Sequence, residues 1–107
     1  MSQQPFVAEN YDDSDGKPAG GFVDGIGMRI DWQNGPLGRE PDRLDPEGAF
    51  VETVVAAVIQ RIEYYQEGEF WCRENLNAIT HLEEALHWMN HRTVAREARQ
   101  VEGTHTA

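Results

Sequence analysis

Three arginines near the end of the sequence are the residues whose type and spacing most clearly suggest chemistry. Arg92, Arg96 and Arg99 stand at positions i, i+4 and i+7, so a helix through them would place three guanidinium groups on one narrow stripe. Clustered guanidinium groups repel one another unless an anion neutralises them, and each can bind a phosphate group through two parallel hydrogen bonds. A site for phosphate groups is favoured by the context, because an otherwise acidic chain concentrates three of its nine basic residues in eight positions.

Two hydroxyl groups and a glycine lie close to these arginines in the sequence and could complete the site. Thr93 follows the first arginine, and Thr104 follows Gly103. Threonine hydroxyls and unpaired backbone N–H groups both donate hydrogen bonds to phosphate oxygens. A simpler interpretation also stays open, in which the arginines complement the negative end of a helix dipole and remain in solvent.

The charge balance limits which anions such a site could bind. The 107 residues include 9 Lys and Arg against 19 Asp and Glu, which gives a formal net charge of -10. The field around a molecule with this charge repels long polyanions, so binding of duplex nucleic acid is not expected. We therefore expect a small anionic ligand that is held by a local cluster of arginines.

Histidines and carboxylates on the same segment offer a metal-binding alternative. His87 and His91 stand at i and i+4, a spacing found in metal sites. Glu84 precedes His87 in the Glu-x-x-His pattern of di-iron carboxylate bundles, with Glu63 as a candidate partner. Helical phase argues against a di-iron site, because both glutamates fall outside the apolar stripes of their helices. We therefore expect no resident metal or other cofactor.

The remaining reactive side chains give no indication of catalysis. Cys72 is the only cysteine, which excludes an internal disulfide and indicates a reducing, cytoplasmic compartment. Its neighbours Phe70 and Trp71 favour a packed thiol over a nucleophile. The sequence shows no nucleophile motif, dinucleotide-binding fingerprint or ATP-binding loop, and no apolar run long enough for a membrane span. We expect a soluble protein that is not an enzyme and has no membrane partner.

Composition and periodicity predict the elements that would position these residues. Residues 1–21 are rich in acidic residues, glycine and proline, so we expect a flexible acidic tail there. Residues 22–46 should form a strand and loop element, because apolar and polar residues alternate up to Gln33, as in a half-buried strand or a short hairpin that turns at Asp24-Gly25. Residues 47–107 should form a helical hairpin domain with a C-terminal arginine-rich motif.

Two amphipathic helices account for the predicted hairpin. Asp45-Pro46-Glu47 is typical of a helix start, and the apolar residues that follow fall on one broad face up to a break at Gly68. A second helix is predicted from about Phe70 to about Asn90. The predicted fold class is mainly α, an antiparallel helical hairpin with a small N-terminal β element. A lone hairpin covers only part of its apolar stripes, so we also expect a homo-oligomer.

The second helix and the end of the chain resemble the helical hairpin of phage anti-defence sponges. This family includes the anti-CBASS cyclic-oligonucleotide sponge and the Thoeris anti-defence sponge. The resemblance covers roughly residues 47–107 and is most specific in Arg92-Thr93 and in the ending Val101-Glu102-Gly103-Thr104-His105. The strand segment at 22–33 is more similar to the Thoeris type, which has an N-terminal sheet.

The resemblance implies a non-enzymatic protein that sequesters a cyclic di- or trinucleotide or a cyclic ADP-ribose-type molecule. It places this activity in the cytoplasm of an infected bacterial host, where it would block antiphage defence. It also implies a hexamer with pockets between subunits. The implied ligand-binding residues are the phosphate contacts and the residues that close the pocket: Arg92, Thr93, Arg96, Arg99, Gly103, Thr104 and His105.

Two alternatives from other functional classes stay open. One is a di-iron, ferritin-like helical protein that uses Glu63, Glu84 and His87. The other is an acidic helical interaction protein whose arginines are solvated and which binds no small molecule. Stoichiometric iron in the purified protein would support the first, and the absence of any small-molecule binding would support the second.

Overall fold

The computed structural model describes residues 5–35 and 45–98, which form three β-strands and two α-helices. In chain order these elements are β1 (Phe6–Asp12), β2 (Pro18–Gly25), β3 (Met28–Trp32), α1 (Val51–Gln66) and α2 (Arg73–Ala98). The chain divides between Phe50 and Val51 into two compact units, one with the strands and one with the helices. We call them the sheet unit and the helical unit.

The three strands form one antiparallel sheet in the order β1-β2-β3, so the predicted class, mainly α with a small β element, is wrong. The sheet starts inside the segment that was expected to be a flexible acidic tail, residues 1–21, because β1 lies wholly within it and β2 begins there. All seven residues of β1 are exposed. The strand is therefore held by its backbone ladder with β2, and it has no buried face that apolar periodicity could indicate.

The acidic run that suggests a tail forms the turn between β1 and β2. The Asp13 carboxylate accepts hydrogen bonds from the backbone N–H groups of Asp15 and Lys17, at 2.9 and 3.0 Å. The N–H of Gly16 donates to the Asp13 carbonyl at 3.0 Å, and Gly16 has a φ of 75°, a conformation that favours glycine. Aspartate and glycine at these positions are therefore turn residues.

The second hairpin turns two residues later than the expected position at Asp24-Gly25. Gly25 pairs with Met28, and the two residues between them form the turn, with Gly27 at a φ of 70°. Ile26, at the tip of this turn, is 88% exposed. The segment expected to form one strand or a short hairpin is thus divided between the end of β2 and the whole of β3.

The pairing register gives the sheet one mainly apolar face and one mixed face, on which charged residues lie beside Val7 and Phe22. We call the mixed face the polar face. The apolar face contains Phe6, Ala8, Val23, Met28, Ile30 and Trp32. On the polar face the Arg29 guanidinium lies 4.5 Å from the centre of the Phe22 ring and pairs with Asp31 at 2.9 Å and with Asp24 at 3.5 Å. The hydrogen bond from Arg29 lowers the pKa of the Asp31 carboxyl below its ordinary value.

The chain segment before α1 pairs with the end of β3. The N–H of Ala49 donates to the Asp31 carbonyl at 2.7 Å, and the N–H of Gln33 donates to the Ala49 carbonyl at 2.9 Å. Trp32 and Ala49 thus form a parallel bridge. This bridge gives β3 a second backbone partner on the edge that does not face β2.

Hydrogen bonds between the Gln33 side chain and the segment before α1 place the start of α1 later in the chain than predicted. The Gln33 side-chain oxygen accepts hydrogen bonds from the N–H groups of Glu47 and Gly48, at 2.7 and 3.1 Å. Because a distant side chain binds these two donors, the predicted helix start at Asp45-Pro46-Glu47 is wrong, and α1 begins at Val51.

The helical unit consists of α1 and α2, which contact each other and are joined by residues 67–72. Ile59 of α1 and Ile79 of α2 are the buried hydrophobic residues of the described chain. α2 extends to Ala98, well beyond its predicted end near Asn90. None of the helices in the described part of the chain has the length and hydropathy needed to cross a membrane.

The connection between the helices is held by the side chain of Gln66. Its Nε2 donates to the Cys72 carbonyl at 3.0 Å, and its Oε1 accepts from the Cys72 N–H at 3.0 Å. The Cys72 sulfur in turn accepts a hydrogen bond from the N–H of Asn75 at 3.4 Å, in the manner of a helix N-cap. Cys72 is thus a structural residue of this connection.

Replacement of Gly48 by alanine should destabilise the sheet unit by about 1–3 kcal/mol. A Cβ at this position would lie 2.6 Å from the backbone carbonyl of Trp32, so the bridge to β3 would have to move. Gly20→Ala is the matched control, because its Cβ would lie at an ordinary distance of 3.6 Å from its nearest neighbour. Urea denaturation followed by tryptophan fluorescence measures both variants. Equal stability of the two would contradict the close approach at Gly48.

Gln66→Ala should destabilise the helical unit by about 1–3 kcal/mol, because two partly buried hydrogen bonds to Cys72 are lost. Gln60→Ala on the same helix is the control. Gln60 is exposed, and alanine has a higher helix propensity than glutamine. The stability of the Gln60→Ala variant should therefore equal or slightly exceed that of the wild type. Thermal unfolding followed by circular dichroism at 222 nm compares them. If the two variants have the same melting temperature, the connection does not depend on the Gln66 side chain.

Candidate functional site

The long helix α2 carries the first part of the predicted phosphate site. Because it is continuous to Ala98, positions 92 and 96 stand one turn apart on the same side of the helix. Arg92 is exposed, and within the described part of the chain no hydrogen bond or ion pair engages its guanidinium. The other predicted residues Arg99, Gly103, Thr104 and His105 lie outside the described residues.

Thr93 points away from Arg92. The two residues are adjacent in the helix and therefore project about 100° apart around its axis. The Thr93 side chain is partly buried, and its hydroxyl donates to the Met89 carbonyl at 3.2 Å. The structure does not bring this hydroxyl next to the Arg92 guanidinium, so its part in a phosphate site stays a prediction.

The environments of the other described arginines set Arg92 apart. Arg29 is paired with two carboxylates on the polar face of the sheet. Arg61 lies over the rings of Tyr64 and Tyr65, 5.2 and 5.0 Å from their centres, and donates to the Tyr65 hydroxyl at 3.2 Å. Arg73 is exposed like Arg92, but it lies in the first turn of α2, where the helix dipole disfavours a cation.

An aromatic cluster lies one turn before Arg92 on α2. Trp88 is 66% exposed, although tryptophan is usually packed. Its ring contacts the rings of His87 and His91, with centres 5.6 and 5.7 Å apart and steep interplanar angles of 76° and 70°. Sequence reasoning alone does not separate an exposed Trp88 from a packing residue. Helical phase is the available indication, because Trp88 falls on the opposite side of α2 from the stripe that contains Ile79.

The side chains of the metal-binding alternatives are not brought together. Glu63, Glu84 and His87 are all exposed. In residues 5–35 and 45–98, no three His, Cys, Asp or Glu side chains form a group that could hold a metal ion. The rings of His87 and His91 each contact Trp88. The described residues therefore lend no support to a di-iron site.

Comparison with known proteins adds two findings to this geometry. Residues 24–94 match the sequence profile described as "Acb2/Tad1, hairpin domain". The match includes β3, α1 and the part of α2 that carries Trp88, Arg92 and Thr93. The chain is also 49% identical over 76 residues to Thoeris anti-defense 1 of Bacillus phage SBSphiJ7, which covers 71% of this chain and 51% of that protein. The chain thus spans about half the length of this curated relative.

Proposed function

The chain belongs to the family of Acb2/Tad1 hairpin domains, which confirms the resemblance found in its sequence, and on this premise we propose that it is an anti-defence sponge. It binds a cyclic di- or trinucleotide or a cyclic ADP-ribose-type signalling molecule of bacterial antiphage defence. It holds this molecule in the cytoplasm of the infected cell and does not convert it. The name of the phage relative, Thoeris anti-defense 1, supports the anti-defence part of this proposal.

The observation that carries the proposal is the environment of Arg92. The chain has a net charge of -10, yet this guanidinium is exposed and has no carboxylate partner among the described residues. It stands one turn before Arg96 on a continuous helix. Such a pair supplies donors for one or two phosphate groups of a small ligand, while the acidic surroundings disfavour long polyanions.

A sponge fits these residues better than an enzyme does. Sequestration requires affinity and no turnover, so it needs donors for phosphates but no general acid, base or nucleophile. The helical unit offers the donors. Its thiol Cys72 is engaged in the connection between the helices, and two of its histidines, His87 and His91, contact the indole ring of Trp88.

The exposed face of α1 supports assembly into a homo-oligomer, with a hexamer as the expected form. Val51, Val58 and Tyr65 are spaced by seven residues and therefore lie on one side of the helix. They are 48%, 44% and 36% exposed in the single chain. An apolar stripe of this kind is typical of a surface that a second subunit covers. Pockets between subunits would then bring arginines of several chains to one ligand.

Calorimetric titration of the full chain with cyclic di-AMP, cyclic tri-AMP and cyclic ADP-ribose isomers tests the binding. We expect tight binding of at least one probe, which chromatography should recover chemically unchanged after heat denaturation of the protein. Arg92→Gln should weaken that binding about tenfold to a hundredfold, since a charge-assisted hydrogen bond contributes ~1.5–3 kcal/mol.

Arg73→Gln is the matched control, because Arg73 is also an exposed arginine of α2 but lies at its other end. Its affinity for the probe should equal that of the wild type. Failure of the wild type to bind any probe would contradict the proposed function. Equal losses in the two arginine variants would show that general charge, and not a site at Arg92, determines the affinity.

Native mass spectrometry tests the assembly. The wild type should form an oligomer larger than a dimer at micromolar concentration. Val58→Glu should dissociate it into folded smaller species, because a charge would be buried in the subunit contact. Gln60→Glu introduces the same group at an exposed position of α1 and should leave the assembly intact. A wild-type protein that is monomeric under these conditions would refute the subunit contact.

A further inference from the structure

The exposed ring of Trp88 is not explained by the packing of the helical hairpin. The stripe of α2 that faces inward contains Ile79, Leu82, Leu86 and Met89, which are buried or partly buried. At 100° per residue, Trp88 lies about 100° or more from each of them around the helix. Its indole is 66% exposed, so the hairpin gains little from this large apolar group.

The surroundings of Trp88 hold the indole without covering it. His87 precedes it, and His91 follows it almost one turn later. Both imidazole rings meet the indole at steep angles, 76° and 70°, with ring centres 5.6 and 5.7 Å away. Edge-to-face contacts of this kind restrict the rotation of an aromatic side chain. A ring that is held in place and remains open to solvent loses little conformational freedom when a ligand stacks on it.

Arg92 lies on the same side of α2 as this ring. Trp88 and Arg92 are separated by four residues, which places them on the same side of α2 within about 40° of each other. The aromatic surface and the guanidinium are therefore within reach of one small molecule. Glu84 lies one turn before Trp88, on the side away from Arg92.

We propose that Trp88 is the base-stacking residue of the ligand site, and that it binds the nucleobase of a nucleotide whose phosphate binds Arg92. This inference rests on the proposed function and adds a determinant of specificity to it. A phosphate contact alone accepts any small phosphate compound. A stacking surface next to it selects ligands that carry a planar base, and stacking on tryptophan tolerates different bases because each has a π-face.

A subunit contact at Trp88 is the alternative use of the exposed ring, and the neighbouring residues disfavour it. The side chains one turn away on this side of α2 are Glu84, Ala85, His91 and Arg92. Three of these four are charged or polar, so the apolar area around Trp88 is that of one ring. Stable subunit contacts bury a larger continuous patch, such as the stripe with Val58 on α1.

The test compares Trp88→Phe and Trp88→Ala with the wild type in titrations with the adenine-containing probes named above. The alanine variant should bind the probe about tenfold to a hundredfold more weakly, and the phenylalanine variant should retain most of the affinity. Stacking of adenine should quench tryptophan fluorescence in the wild type, and this quenching should be lost in both variants. Trp71→Phe is the control, because Trp71 is 58% exposed in the connection between the helices and should not contribute to the quenching.

The outcomes separate this inference from the function on which it rests. If the wild type binds no probe, the proposed function fails and the stacking site fails with it. If the wild type binds a probe but Trp88→Ala binds it equally well, the function stands and the stacking site is refuted. If Trp88→Ala changes the oligomeric state in native mass spectrometry, Trp88 is a subunit contact and the inference is also refuted. Weaker binding and lost quenching in an intact oligomer establish the stacking site.

Discussion

The contact between α1 and α2 buries one narrow stripe of each helix. The rest of each helix surface therefore stays exposed and is available for binding. Ile59 and Ile79 are the buried hydrophobic residues of the described chain. Helices of 16 and 26 residues present far more surface than one such stripe can cover. The apolar remainder of α1 suits a protein partner, whereas the outer side of α2 combines polar groups with one aromatic ring and suits a small ligand.

Local periodicity is enough to predict the two helices but not where they begin and end. The start of α1 depends on Gln33, whose side chain binds the backbone N–H groups of Glu47 and Gly48 from a distant point of the sequence. The residues around the helix start do not show that a side chain 14 or 15 positions away binds these N–H groups. The last turns of α2 lie beyond the amphipathic pattern, and residues with high helix propensity such as Arg92 and Ala95 extend the helix there.

The sheet and the site differ in how much of each can be predicted. A strand is recognised by its buried face, and β1 has none, while the residues of its turn have the same composition as a disordered tail. The spacing of Arg92 and Arg96 is a property of the helix itself and is visible in the sequence. The Thr93 hydroxyl binds the Met89 carbonyl of its own helix, which the sequence does not specify, and helical phase only indicates the exposure of Trp88 that the structure gives.

The arrangement of charge around the described arginines is compatible with the anion binding that we propose for this acidic protein. Arg29 is paired with two carboxylates and Arg61 lies over two tyrosine rings, whereas no hydrogen bond or ion pair within residues 5–35 and 45–98 engages the donors of Arg92. At physiological salt the repulsion from distant carboxylates is screened over about 8 Å. A small cyclic phosphate at hydrogen-bond distance from Arg92 experiences the local attraction most strongly, but a long polyanion also extends over the acidic surface. If Arg92 binds a phosphate group as we propose, discrimination by ligand size follows from where the charges lie.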